Sequence, residues 1–175
     1  MRLLRVCLLP SHALSSPISA RGRIIAAAGG VEARSASTSS AAPLEVTLVP
    51  CLEDNYGFLV HDRLSGDTAA VDTPDAAALQ AALADRGWTL TTVLNTHHHA
   101  DHTGGNLALK AAAAAATRSP RGLTVYGPER EKARIPGLDV GVAGGDSFAW
   151  GGNGNHAVEV TGPNPTRRPC PSSQR

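Results

Sequence analysis

Residues 93–106 read Val-Leu-Asn-Thr-His-His-His-Ala-Asp-His-Thr-Gly-Gly-Asn, placing four of the chain's seven histidines and one carboxylate within six positions. The stretch lies where a β-rich run gives way to an Ala/Leu-rich one. Imidazole nitrogen and carboxylate oxygen are the donors that suit Zn²⁺ and Fe²⁺. If the backbone is still extended after the strand, His97 and His99 project to the same side and can share one ion. Asp101 and His102 follow the turn of the chain and can address a second. Gly104 and Gly105 permit close approach of backbone to the site before a helix begins. A solvated polar loop and a His-rich metal scavenger without catalytic role are the competing readings, and clustering at a strand end with an interleaved Asp favours a built metal site. His98 points away from its neighbours and is left out. His12 falls in the N-terminal segment, and His61 and His156 read as surface or core residues.

Outward from this stretch, strand and helix signals alternate. Leu44–Pro50 and Gly57–Val60 are short β-rich runs joined through Asn55-Tyr56, and Ser65-Gly66-Asp67 marks a turn before a third strand over Ala69–Asp72. Thr73-Pro74-Asp75 opens a helix to about Arg86, with Pro74 near the first turn where its missing N–H costs little. Thr91–Asn95 is the next strand, Asn106–Thr117 a second helix, and Leu123–Tyr126 a strand closed by Gly127-Pro128. The order β-β-β-α-β-α-β predicts an α/β layered fold with helices covering a sheet.

The two ends differ in character from this middle. The chain has 175 residues with 16 Lys and Arg against 15 Asp and Glu, a formal charge of +1. That balance averages unlike parts: Leu44–Val160 carries 14 acids and eight bases, a formal −6, whereas residues 1–42 hold Arg2, Arg5, Arg21, Arg23 and Arg34 against Glu32. The basic, Ser/Ala-rich 1–42 segment reads as a disordered organelle transit peptide, mitochondrial or alternatively chloroplast, with a secretory signal as its rival because Leu3–Leu9 is apolar apart from Arg5. Thr161–Arg175 holds four prolines and no large apolar residue and reads as a disordered tail. The packed domain is therefore expected over 43–160. No basic run marks a nucleic-acid footprint, and no stretch reaches the roughly 18 apolar residues of a membrane span. Cys7, Cys51 and Cys170 lack any paired spacing, so a soluble protein of a reducing compartment is expected.

Thr96–His102 matches the Thr-His-x-His-x-Asp-His signature of the metallo-β-lactamase superfamily. Together with VPCLEDNYGFLVHD, AVDTPD, VLNTHHHADHTGGNLALK, VYGPE and RIPGLDV, it makes the chain resemble glyoxalase II, the hydroxyacylglutathione hydrolases, over about Val46–Val160. The resemblance implies an αββα sandwich with a dinuclear site, two zinc ions or else Fe or Mn, that hydrolyses S-D-lactoylglutathione and related glutathione thioesters to a 2-hydroxy acid and glutathione, the hydrolytic step of methylglyoxal catabolism. By position, His97 and His99 would bind the first metal and Asp101 and His102 the second, with Asp101 also orienting the attacking hydroxide. Asp72 resembles the superfamily's early Asp and is read as an outer partner that positions the site, against a simple helix N-terminal acid beside Pro74.

The resemblance covers roughly the first half of such a hydrolase. The family's Pro-Gly-His-Thr turn, its bridging Asp, a further His and its helical glutathione-holding domain have no counterpart after Val160, and His156 precedes the strand expected over Ala157–Val160 and does not match the missing ligand. The abrupt change of composition there is read as shortening, by frameshift, an alternative terminal exon or a faulty gene model. Half a sandwich exposes the sheet face that its other half would cover, so association through that face or instability is expected. Three readings stand: a thioester hydrolase present as a shortened product, a non-catalytic metal- or partner-binding fragment, and a persulfide dioxygenase-like member of the same superfamily using one iron.

Overall fold

The computed structural model describes residues 5–10, 44–116, 122–154 and 156–162. In chain order the elements are β1 (Arg5–Pro10), β2 (Leu44–Cys51), β3 (Asn55–Asp62), β4 (Asp67–Val71), α1 (Ala76–Arg86), β5 (Thr89–Leu94), α2 (Ala100–Thr103), α3 (Asn106–Ala115), β6 (Thr124–Pro128), β7 (Val140–Val142), β8 (Ser147–Trp150) and β9 (His156–Thr161). A 3-10 turn over Glu129–Arg134 links β6 to β7, and a shorter one spans Gly152–Gly154.

Six strands form one sheet in the order β2-β3-β4-β5-β6-β7. The hairpins β2-β3 and β3-β4 are antiparallel, as two short turns allow; β4, β5, β6 and β7 run parallel, joined by helical crossovers. Three strands form a second sheet, β1-β9-β8, antiparallel throughout.

The large sheet carries a packed layer on each face because its strands alternate two apolar sets. Val49, Cys51, Leu59, Ala70, Val93 and Val125 pack against Leu79 and Leu83 of α1 and Leu109 of α3. Val60, Ala69 and Leu94 face the other way, onto Trp150 and Val158 of the second sheet. The result is a helix/sheet/sheet layering around two apolar clusters. Leu79 is wholly buried, and burial of a side chain of that size stabilises by about 1.5–3 kcal/mol. A polar link joins the sheets: His156 Nε2 of β9 lies 3.4 Å from Asp62 Oδ2 of β3, with both side chains buried. His61 stacks on Trp88 instead, with ring centroids 4.3 Å apart.

Several expectations are revised. Arg5–Pro10, read within a disordered leader, forms β1 and pairs with β9, Arg5 opposite Thr161. The physical reason is that the backbone of β9 offers an unpaired edge, which any β-tolerant run can satisfy. Thr161 itself, assigned to the tail, ends β9. The remaining calls on the leader, including His12, and those on 163–175 lie outside the described residues. The expected element order lacked β7 and β8, whose three and four residues are too short to show a period. It also lacked the single turn α2. Among the described residues no helix is long and apolar enough to cross a membrane.

Candidate metal centre

The His-rich stretch leaves the C-terminal end of β5 between two parallel neighbours, β4 and β6. Residues 95–99 carry no regular structure, then α2 begins at Ala100 with His99 as its N-cap. Gly105 lies against the backbone of the β4–α1 connection, so close that an added Cβ would stand 2.9 Å from the Thr73 carbonyl oxygen and 3.1 Å from Ala76 N. Gly104 is tight against its own turn instead, where an added Cβ would stand 2.7 Å from the Ala100 carbonyl oxygen.

The fold brings His97, His99, Asp101, His102 and Asp72 together. His97 Nε2 and His99 Nδ1 face each other at 3.1 Å. Two nitrogens on one tetrahedral zinc, each about 2.0–2.1 Å from the ion, stand about 3.3 Å apart, so this pair fits two positions of a single ion. His102 Nε2 and Asp101 Oδ2 form a second pair, 3.5 Å apart. The His97 and His102 rings adjoin, with centroids 4.1 Å apart. His97 is buried to 8% exposure, while His99 and Asp101 are open to solvent. Burial, together with the His102 ring beside it, holds His97 below the usual imidazole range, in the neutral form that a metal ligand requires.

Asp72 is buried just beyond β4 and organises both pairs. Its Oδ1 accepts the Thr96 N–H at 2.8 Å, and its Oδ2 accepts the Thr96 hydroxyl at 2.8 Å and His102 Nδ1 at 2.9 Å. With its hydroxyl proton given to Asp72, Thr96 Oγ1 accepts from His97 Nδ1 at 2.9 Å. Both imidazoles are thus protonated on Nδ1 and leave Nε2 as the lone-pair nitrogen, which in His97 faces His99 Nδ1, the arrangement by which an outer carboxylate fixes the tautomer of a ligating histidine. Asp72 has φ 56°, a left-handed conformation seldom held by a residue other than glycine. It does not cap the adjoining helix; Asp75 does, accepting from Ala77 N and Ala78 N.

Other groups hold the loop, and sequence reading passed over them. Asn55 Nδ2, where β3 begins, donates to the Asp101 carbonyl at 2.7 Å and to Asp101 Oδ2 at 3.2 Å. The His102 carbonyl accepts from Thr73 N at 2.8 Å and Asn95 Nδ2 at 3.1 Å. Asn106 Nδ2 supports Asn95 Oδ1 at 2.8 Å, and Thr73 Oγ1 donates to Asn106 Oδ1 at 2.6 Å. Thr73, Asn95 and Asn106 are wholly buried. An asparagine at an apolar strand end was the available signal, because buried amides need partners. His98 turns away, as expected, onto Glu131 and Arg134. Among the described residues no three His, Cys, Asp or Glu side chains already converge as a cage. The donors are drawn up as two pairs, each filling part of an ion's coordination shell.

The metallo-beta-lactamase superfamily profile matches residues 69–167, which include every residue of both donor pairs. The chain belongs to that superfamily, whose members work with metal ions. It is 47% identical over 120 residues to a hydroxyacylglutathione hydrolase of Cereibacter sphaeroides, covering 69% of this chain and 44% of the relative. It is 49% identical over 108 residues to the protein of that name in Brucella ovis, covering 62% and 39%. The chain spans less than half the length of these curated relatives. Among solved structures it is similar to ETHE1 from Myxococcus xanthus, with 26% identity, TM-score 0.44 and coverage of 61% of this chain and 45% of that one. The BLEG-1 B3 metallo-beta-lactamase is similar at 18% identity, TM-score 0.45, covering 59% and 56%.

Proposed function

We propose that the chain carries the metal-loop half of a glyoxalase II-type thioester hydrolase, acting on S-(2-hydroxyacyl)glutathiones such as S-D-lactoylglutathione. The observation that supports this most is the facing pair His97 Nε2 and His99 Nδ1, with the His97 tautomer set through Thr96 by Asp72. The names of the relatives give the substrate class. His97 and His99 would hold one ion and Asp101 and His102 a second; zinc suits the donors, and iron or manganese are the alternatives.

When bound, such ions supply hydroxide at neutral pH and polarise a thioester carbonyl. Asp101, exposed beside His102, would accept a hydrogen bond from the attacking hydroxide and aim it at that carbon. Attack forms the C–O bond, and collapse breaks the C–S bond. The electron pair leaves on glutathione sulfur, which needs little protonation because a thiol pKa is near 8.5. No serine or cysteine nucleophile is called for.

The test is metal content together with thioester hydrolysis, both on the 175-residue chain. His97→Ala and His99→Ala should each remove most of the bound Zn²⁺ while His98→Ala retains it. Equal losses from all three sink the ligand assignment. Hydrolysis of S-D-lactoylglutathione that falls in Asp101→Asn supports the enzyme reading. Stoichiometric Zn²⁺ without hydrolysis favours a second reading, a non-catalytic fragment that binds a partner, for which the exposed apolar side chains of β2 and β3 speak.

A further inference from the structure

Glu131 lies in the 3-10 turn after β6, 33 residues beyond His98, and belongs to neither donor pair. Its Oε2 nevertheless accepts two hydrogen bonds from the residue between the first two proposed ligands, from the His98 backbone N–H at 2.9 Å and from His98 Nδ1 at 2.9 Å. Arg134, at the other end of the same turn, donates to His98 Nε2. The His98 ring is therefore held at both nitrogens, protonated on Nδ1 and accepting at Nε2, with no lone pair left for a metal ion. Glu131 and His98 are both largely shielded, with side-chain exposures of 24% and 16%.

The backbone half of this grip matters more than the ring. Thr96–His98 are bends outside helix and sheet, and two of their amides are held by carboxylates from opposite sides: Thr96 N by Asp72 and His98 N by Glu131. Rotation of the peptide before His98 would swing His97 and His99 apart, because the two side chains are set by the backbone on either side of that residue. We propose that Glu131 is a positioning residue that fixes the Thr96–His99 bend and thereby the mutual aim of His97 and His99. Its effect on metal binding rests on the metal-centre reading above; its effect on the loop does not.

The experiment therefore has two arms, both on the whole chain. Amide hydrogen exchange of the metal-free protein, followed by NMR, is expected to speed up at least about tenfold at His98 in Glu131→Ala. Glu131→Gln, which keeps one acceptor oxygen, should restore most of the protection. Amides of β5 and α1 should not change, which separates loss of the grip from loss of the fold. Unchanged protection at His98 in both variants overturns the proposal. In the second arm Co²⁺ serves as the probe, read by its visible spectrum and by competition with a chromophoric chelator. Glu131→Ala should weaken binding about 10- to 100-fold with an altered spectrum, whereas His98→Ala, which keeps the backbone bond, should stay near the parent. Parent-like affinity in Glu131→Ala, or an equal loss in His98→Ala, also overturns it. If the parent chain takes up no Co²⁺, the metal-centre reading fails, and the exchange arm still decides what Glu131 does.

Discussion

At Asp72 a strained backbone and a triply engaged carboxylate coincide, and the two contributions can be separated by mutation. Asp72→Gly relieves a left-handed conformation worth about 1–3 kcal/mol but removes the carboxylate; Asp72→Ala removes the carboxylate and keeps the strain. Metal affinity should fall about 10- to 100-fold in both, while only Asp72→Ala should also lower the thermal midpoint clearly. A pair of variants equal in both respects would dismiss the strain argument. At this scale the sequence showed the donors and little of what holds them. The spacing of His97, His99, Asp101 and His102 is local, and so was the exclusion of His98. Asn55 and Glu131 act from positions 46 and 33 residues away, and their amide and carboxylate types are ordinary.

Helix α1 has both of its ends specified by side chain and backbone. Asp75 supplies the N-cap, and Gly87, at φ 66°, closes the C-terminus with bonds from its own N–H to the Ala84 carbonyl and from Trp88 N–H to the Leu83 carbonyl. Asp75→Ala should cost about 0.5–2 kcal/mol. Leu79→Ala, at a position with no exposure, should cost about 2–5 kcal/mol. Chemical denaturation of both variants checks the ordering, and a larger loss from the cap than from the core would show that α1 is not docked as described. Helices α1 and α3 and the central strands were legible because turn residues and apolar runs are local signals. Strands β7 and β8 were not, since Val140–Val142 and Ser147–Trp150 are strands only by virtue of the neighbours they pair with.

Across the molecule, three hydrogen-bonded carboxyls and one buried histidine make stability acid-sensitive. Burial alone would raise the carboxyls of Asp62, Glu131 and Asp139, but hydrogen bonds outweigh it: from Ser65 and Leu64 N–H to Asp62, from His98 to Glu131, and from Lys110 and Val125 N–H to Asp139. Each carboxyl sits below its ordinary value. The stability they contribute is therefore present above about pH 4 and lost as pH falls through the folded values. His97, lowered by burial, is neutral in the folded chain and protonated more readily when unfolded, so it adds an earlier loss as pH falls through about 6.5. The metal-free chain should show a midpoint that declines in two stages on acidification, the first absent in His97→Gln. A flat profile between pH 7 and 5 would contradict the neutral, buried state of His97.

The second sheet covers only part of the face it packs on. Val46 and Leu48 of β2 remain 64% and 51% exposed, with Tyr56 and Phe58 of β3 beside them. Apolar surface of this kind favours association. Sedimentation velocity should show concentration-dependent self-association that is reduced in Val46→Lys/Leu48→Lys; a monodisperse monomer at high concentration would count against it. The sequence by itself determined the donor types and their spacing and the alternation of strands and helices, because each depends on residues within a turn or two of one another. Only the tertiary structure decided that Asp72 sets the tautomers of His97 and His102, that Asn55 and Glu131 hold the loop from either side, and that Arg5–Pro10 pairs with β9. Those are hydrogen bonds between segments tens of residues apart, and which partners meet depends on how the sheets and helices pack.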